Sequence, residues 1–223
     1  MVNYRHELKY LISRAGCEML RGRLRAAMAA DEHAAGGDYL VRSLYFDDYA
    51  QSGLRDKVDG VAMREKFRIR FYDLDDSFIR LEAKQKHNIM TRKLTAPLTR
   101  EQADAILAGE WDFLWDTGQP LLRDFYRKAR TRLLRPSVIV DYDREAYVFR
   151  DVRITFDSGL RTGHYSADLF DPDLLTIPVL PPGQVILEVK FDDALPDFIG
   201  RLLRPIPAAR SAVSKYELCR RYQ

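Results

Sequence analysis

The chain has 223 residues, 46% hydrophobic and 31% charged, which excludes a disordered tail, a fibrous protein and a coiled coil and leaves room for one substantial core. Lys and Arg total 36 against 33 Asp and Glu, a formal net charge of only +3, so a general nucleic-acid binder with a large basic excess is not expected. Cys17 and Cys219 make neither a disulfide framework nor a metal pair with histidine, Met1 to Glu7 lacks the apolar core of a signal peptide, and no apolar run approaches a bilayer span. The expectation is a cytoplasmic protein with no membrane segment.

Tyr4 to Tyr10 reads as a strand with Arg5, Glu7 and Lys9 on one face. Ser13 caps a helix running to about Met28, whose apolar side holds Leu20, Leu24 and Met28. Ala29 to Gly37 reads as a loop, and Tyr39 to Phe46 as a strand. Asp47-Asp48 resembles a metal pair but fits better as the end of that strand in a turn. In Arg64 to Phe71 the even positions Arg64, Lys66, Arg68 and Arg70 are basic, while Phe67, Ile69 and Phe71 are apolar. That period of two gives a strand with one charged and one apolar face. Phe78 to Lys86 repeats it, with Arg80, Glu82, Lys84 and Lys86 together.

Thr99 and Gln102 form a capping box before a helix stopped by Gly109, and Trp111 and Trp115 beyond it read as packing residues. Pro120 opens a helix to about Leu134, with Pro136 just past its end. Val138 to Arg144, Val152 to Asp157 and Ile186 to Phe191 are further strands, the last preceded by the turn Pro181-Pro182-Gly183. Asp171-Pro172-Asp173 is another turn. Helices over Pro196 to Leu203 and from near Ser211 complete the set. No linker divides the chain, so residues 1–223 are read as a single domain of the α+β class.

A charged strand face taken singly is equally the wet face of an antiparallel sheet. Collectively these faces concentrate Arg and Lys, and the opposite faces suit packing under helices. A closed antiparallel barrel with a polar lumen satisfies both and leaves no free edge. Lys9, Arg68, Arg70, Lys84, Lys86, Arg144, Arg153 and Lys190 would line it. Such a lumen is expected to be repulsive when empty, because two like charges ~6 Å apart interact at about 3 kcal/mol for an effective dielectric near ~20. A triphosphate or polyphosphate is the natural guest, with Arg making bidentate phosphate contacts and Lys supplying point charges. No Gly-rich phosphate loop is present. His6, His33, His87 and His164 are scattered and read as surface or hydrogen-bonding residues.

Arg5-His6-Glu7-Leu8-Lys9-Tyr10, Leu44-Tyr45-Phe46-Asp47, Arg68-Ile69-Arg70-Phe71-Tyr72, Leu81-Glu82-Ala83-Lys84, Leu187-Glu188-Val189-Lys190 and Ser214-Lys215-Tyr216 occur in that order. Together they resemble the polyphosphate polymerase (VTC) domain of the CYTH-like triphosphate tunnel metalloenzymes, over nearly the whole chain. The resemblance implies a closed eight-stranded antiparallel tunnel with helices outside, a divalent metal (Mn²⁺ or Mg²⁺), and transfer of the ATP γ-phosphate onto polyphosphate. Carried over residue by residue, it implies phosphate or ATP binding by Lys9, Arg68, Arg70, Lys84, Lys86, Arg144, Arg153, Lys190 and Lys215. Glu188 would be the metal carboxylate, and Glu188, Lys215, Arg68 and Arg70 the catalytic set. Hydrolytic relatives open with Glu-x-Glu-x-Lys, and here Arg5 takes the first Glu position, which favours polymerase. The alternatives are a tripolyphosphatase or nucleoside triphosphatase of the same fold, and a non-catalytic polyphosphate-binding module.

Overall fold

The two-residue alternation of the strands resolves into one antiparallel sheet with helices packed on its outside. The computed structural model describes residues 4–31, 37–88, 90–163, 165–204 and 210–222. Residues 32–36 of the expected loop, and both His33 and His164, lie outside them. In chain order the elements are β1 (His6–Ser13), α1 (Arg14–Ala27), β2 (Ala29–Ala30), β3 (Tyr39–Asp47), α2 (Ser52–Val58), β4 (Met63–Tyr72), β5 (Asp75–His87) and β6 (Met90–Leu98). There follow α3 (Arg100–Ala108), α4 (Phe113–Asp116), α5 (Pro120–Arg132), β7 (Arg135–Phe149), β8 (Val152–Gly163), β9 (Ile177–Pro178), β10 (Gln184–Phe191), α6 (Asp197–Leu203) and α7 (Lys215–Arg220). Ser13 caps α1, Thr99 and Gln102 form the capping box of α3, and Pro120 sits in the first turn of α5, as their sequence signals require.

The main path of the sheet runs β1-β10-β8-β7-β3-β4-β5-β6, with β2 paired to β7 and β9 to β8 off that path. The expected closed eight-stranded barrel is therefore corrected to a ten-stranded sheet whose ends do not form a ladder. Among the described residues they meet at one antiparallel bridge, Arg5 to Thr91, through backbone hydrogen bonds of 3.0 and 3.2 Å. The reason is register. The bridge lies at the start of both β1 and β6, and in antiparallel sense the bodies of the two strands then run away from it in opposite directions.

Alternate residues divide the sheet's two faces. Outward-facing Phe46, Phe67, Ile69 and Leu81 pack with Ile106, Leu114 and Phe125 of α3, α4 and α5. Ile154, Phe156, Leu187 and Val189 pack with Leu20 and Leu24 of α1 and Ile199 of α6. A third cluster is interior: Val41, Tyr45, Val138, Val140 and Ile186 close around Tyr216 and Cys219 of α7. Along the interior face of β7 the side chains thus change from Val138 and Val140 to Tyr142 and Arg144, and one end of the interior is filled by apolar packing. No helix among the described residues is long and apolar enough to cross a membrane.

Phe125 is fully buried, and its ring lies 5.1 Å from those of Phe46 and Phe67 and 5.9 Å from that of Trp111. Phe125→Ala is expected to lose about 3–5 kcal/mol, the transfer free energy plus the cavity it leaves. Urea unfolding followed by circular dichroism tests this, and a loss below about 1 kcal/mol would mean that α5 does not anchor this core.

Candidate functional site

The other end of the interior is a cavity of about 660 Å³. Twelve lysines and arginines line it, against two carboxylates, Glu7 and Glu188. The interior parity of the strands places them: Glu7 and Lys9 from β1, Lys66, Arg68 and Arg70 from β4, Lys84 and Lys86 from β5, Arg144 from β7, Glu188 and Lys190 from β10. Lys215 enters from the first residue of α7, capped by Ser214. Of the residues expected here from sequence, Lys9, Arg68, Arg70, Lys84, Lys86, Arg144, Glu188, Lys190 and Lys215 all converge on this one space. Arg153 is not among the lining residues. It stands beside Lys190 in the ladder, but Asp31 at 3.0 Å and the Tyr39 hydroxyl at 3.1 Å take its guanidinium.

The expectation of a bare repulsive lumen is corrected, because buried acids sit among the cations. Glu188 accepts Lys215 at 2.8 Å and lies 3.1 Å from Lys190, 3.3 Å from Lys9 and 3.8 Å from Arg144. Burial opposes its ionisation, but these four cations hold its carboxyl well below the usual range. Asp157, fully buried on β8, pairs with Arg144 at 2.6 Å and Lys215 at 2.5 Å. Burial works against the Lys215 charge, and Asp157 and Glu188 overcome it and raise its pKa. Glu82 binds Arg68 at 2.5 Å and Lys93 at 3.0 Å. Arg70 donates to Ser43 at 2.8 Å and to the Tyr142 hydroxyl at 3.0 Å. Removing Arg68 would therefore strip Glu82 of its closest partner rather than relieve repulsion, and breaking a buried pair typically costs about 3–5 kcal/mol.

Glu7 is the functional candidate that sequence reasoning passed over as an acid. It accepts Lys84 at 2.8 and 3.0 Å and lies 3.8 Å from Lys190. Its place on the face of Lys9 was legible; its approach to Glu188 required the register that sets Glu7 against Lys190 and Lys9 against Glu188. Arg5 turns away to Asp192, at 2.8 Å. The alternation in β4 places Lys66 on the charged face without marking it as a site residue. Its ammonium lies 4.0 Å above the Tyr216 ring.

The residues suit a divalent ion carried with phosphate. No three His, Cys, Asp or Glu side chains converge as a protein cage among the described residues. Mg²⁺ and Mn²⁺, however, are commonly held by one or two carboxylates plus phosphate oxygens, and Glu7 and Glu188 supply hard oxygen donors on neighbouring strands.

An antiparallel sheet of this arrangement recurs among solved structures. Its fold is similar to that of HpAC1 from Hippeastrum, described as an adenylyl cyclase candidate with a dominant triphosphatase activity, at 15% identity and a TM-score of 0.58 over 98% of this chain and 95% of that one. It is also similar to the PH1819 protein of Pyrococcus horikoshii, at 14% identity and a TM-score of 0.50 over 96% and 97% of the two chains. A chain of the Schizosaccharomyces pombe Mediator head module shares it at 9% identity and a TM-score of 0.50, over 91% and 90%. The VTC domain family profile matches residues 4–222, and the chain belongs to that family. No curated protein sequence matches it.

Burial, reinforced by Arg64, Lys57 and Lys84, lowers the Lys66 pKa to about 7; burial, with Lys9 and Lys190, lowers that of Lys84 to about 8. Both amines gain protons when negative charge enters the cavity. Binding of a multivalent anion such as tripolyphosphate is then expected to take up protons near neutral pH and to weaken as the pH rises from about 6 to about 9. Calorimetry in buffers of different ionisation enthalpy measures the uptake. Zero uptake with pH-independent affinity would place these amines outside the anion's reach.

Proposed function

We propose that this single-domain chain is a cytoplasmic, metal-dependent polyphosphate polymerase that transfers the γ-phosphate of ATP onto a polyphosphate chain. The observation that carries the reading is the cavity's charge, twelve Lys and Arg side chains against two carboxylates, with Arg70, Arg144, Glu188 and Lys215 buried. Phosphoryl transfer asks the protein mainly for position and charge neutralisation. Lys9, Arg68, Arg70, Lys84, Lys86, Arg144, Lys190 and Lys215 bind phosphate oxygens in this reading. Arg68 and Arg70 are held in fixed directions by Glu82, Tyr45, Ser43 and Tyr142, so little side-chain entropy is lost on binding. Glu188, with Glu7, would hold Mg²⁺ or Mn²⁺, which when bound neutralises charge on the transferred group.

A tripolyphosphatase is the second reading, and two observations favour it. Glu7 adds a second acid to the site, and the structurally similar HpAC1 is described with a dominant triphosphatase activity. Incubation with ATP and Mn²⁺, resolved by electrophoresis of phosphate chains, separates the two: a ladder supports the polymerase, and orthophosphate alone supports the hydrolase. Tight polyphosphate binding without turnover would leave a binding module.

Glu188→Gln keeps the side chain's size and removes its charge. Turnover is expected to fall by about 100-fold or more, while metal-free tripolyphosphate binding survives or tightens because a competing anion has left. Turnover near the parent's at saturating metal and ATP would sink the role given to Glu188.

A further inference from the structure

Tyr45-Phe46-Asp47 and Ser214-Lys215-Tyr216 meet in the folded protein, and the proposed chemistry gives no role to Asp47 or Tyr216. Asp47 and Tyr216 are 169 positions apart, and the Tyr216 phenol donates to Asp47 Oδ2. We propose that Asp47 is a positioning residue which, through Tyr216, holds Lys215 in place to bind phosphate; this rests on the triphosphate reading above.

Asp47 is 5% exposed and does not line the main cavity, so it can act on a guest there only through other groups. Its two carboxylate oxygens reach both α7 and α2. Oδ2 takes the Tyr216 hydroxyl, and Oδ1 accepts the backbone N–H groups of Asp48 and of Gly53 in α2, each at 2.9 Å. The approach at Gly53 is close enough that an added Cβ would lie 3.0 Å from Oδ1. A glycine there lets α2 seat directly on the carboxylate.

Both tethered helices need such a tie. α2 has no buried residue, and α7 is six residues long; helices this short do not hold their shape unaided. The Tyr216 ring is fixed between Tyr45, 5.1 Å away, and the Lys66 ammonium, at 4.0 Å. Its neighbour Lys215 then reaches Glu188 at 2.8 Å and Asp157 at 2.5 Å. Lys57 of α2 lines the same cavity and lies 3.5 Å from Glu217 of α7, so the two helices are also joined to each other. Without the phenol–carboxylate bond the ring keeps its packing but α7 loses its tie through Asp47 to α2, so Lys215 beside it would be held less firmly.

The test is a double-mutant cycle on the full chain, with tripolyphosphate affinity read by calorimetry and folding checked by thermal melts. Tyr216→Phe is expected to weaken binding about tenfold in the parent, the scale of one charge-assisted hydrogen bond. In a Lys215→Ala background the same change is expected to alter affinity by less than about twofold, since its route of action has been removed. Gly53→Ala, which pushes on Asp47 from outside the cavity, is expected to reproduce both results and serves if Tyr216→Phe folds poorly. An equal loss in both backgrounds would make the bond merely structural and overturn the proposal, as would unchanged affinity in Tyr216→Phe, or in Lys215→Ala, while the parent binds. A parent protein that does not bind tripolyphosphate defeats the underlying reading itself, a result distinct from all of these.

Discussion

The interior depends on Glu188. Four cations approach one carboxylate that is 4% exposed, and two of them, Arg144 and Lys215, are shared with Asp157 behind it. Without these acids the strand faces that carry Lys9, Arg144, Lys190 and Lys215 would repel one another in a region of low dielectric. With them, the cations are stored in compensated form and held in defined directions. In the proposed function a phosphate oxygen competes with a carboxylate oxygen for the same ammonium, and each carboxylate so released becomes a donor for a divalent cation. In that reading anion and metal would be linked through a common set of lysines rather than bound at independent sites.

The sheet separates this charge from the packing that holds the protein together. Outward residues of β3, β4 and β5 build one core under α3, α4 and α5, while β1, β8 and β10 build another with α1 and α6. The inward residues are left to function at one end and to apolar closure by α7 at the other. The family's motifs therefore lie on alternate positions of strands whose intervening residues are core.

What was legible in the sequence was local in period. The alternation of Arg64 to Phe71 placed the inward cations correctly, and the caps at Ser13, Thr99 and Pro120 placed three helices. The missed elements carry weak or conflicting local signals: β6 alternates Leu94, Ala96 and Leu98 with Thr95 and Pro97, but a proline argues against a strand, and α2 buries nothing. Features set by long-range register were not readable. These include the approach of Glu7 to Glu188, the turning of Arg153 toward Asp31, the pairing of Asp47 with Tyr216 and the incomplete meeting of β1 and β6. In each, the decisive partner lies far along the chain, and a strand's own pattern says which face a side chain takes but not what stands opposite.

The single bridge between β1 and β6 makes the wall of the interior mechanically uneven. Parting any other adjacent pair on the main path breaks a ladder, whereas parting this one breaks the two hydrogen bonds at Arg5 and Thr91. Across the same gap, Glu7 of β1 reaches Lys84 of β5, the strand behind β6, from inside the cavity. An electrostatic latch thus stands in for the missing ladder. In the proposed function a bound anion that drew Lys84 from Glu7 would weaken this latch, and the compliance of the wall would follow the charge of the guest.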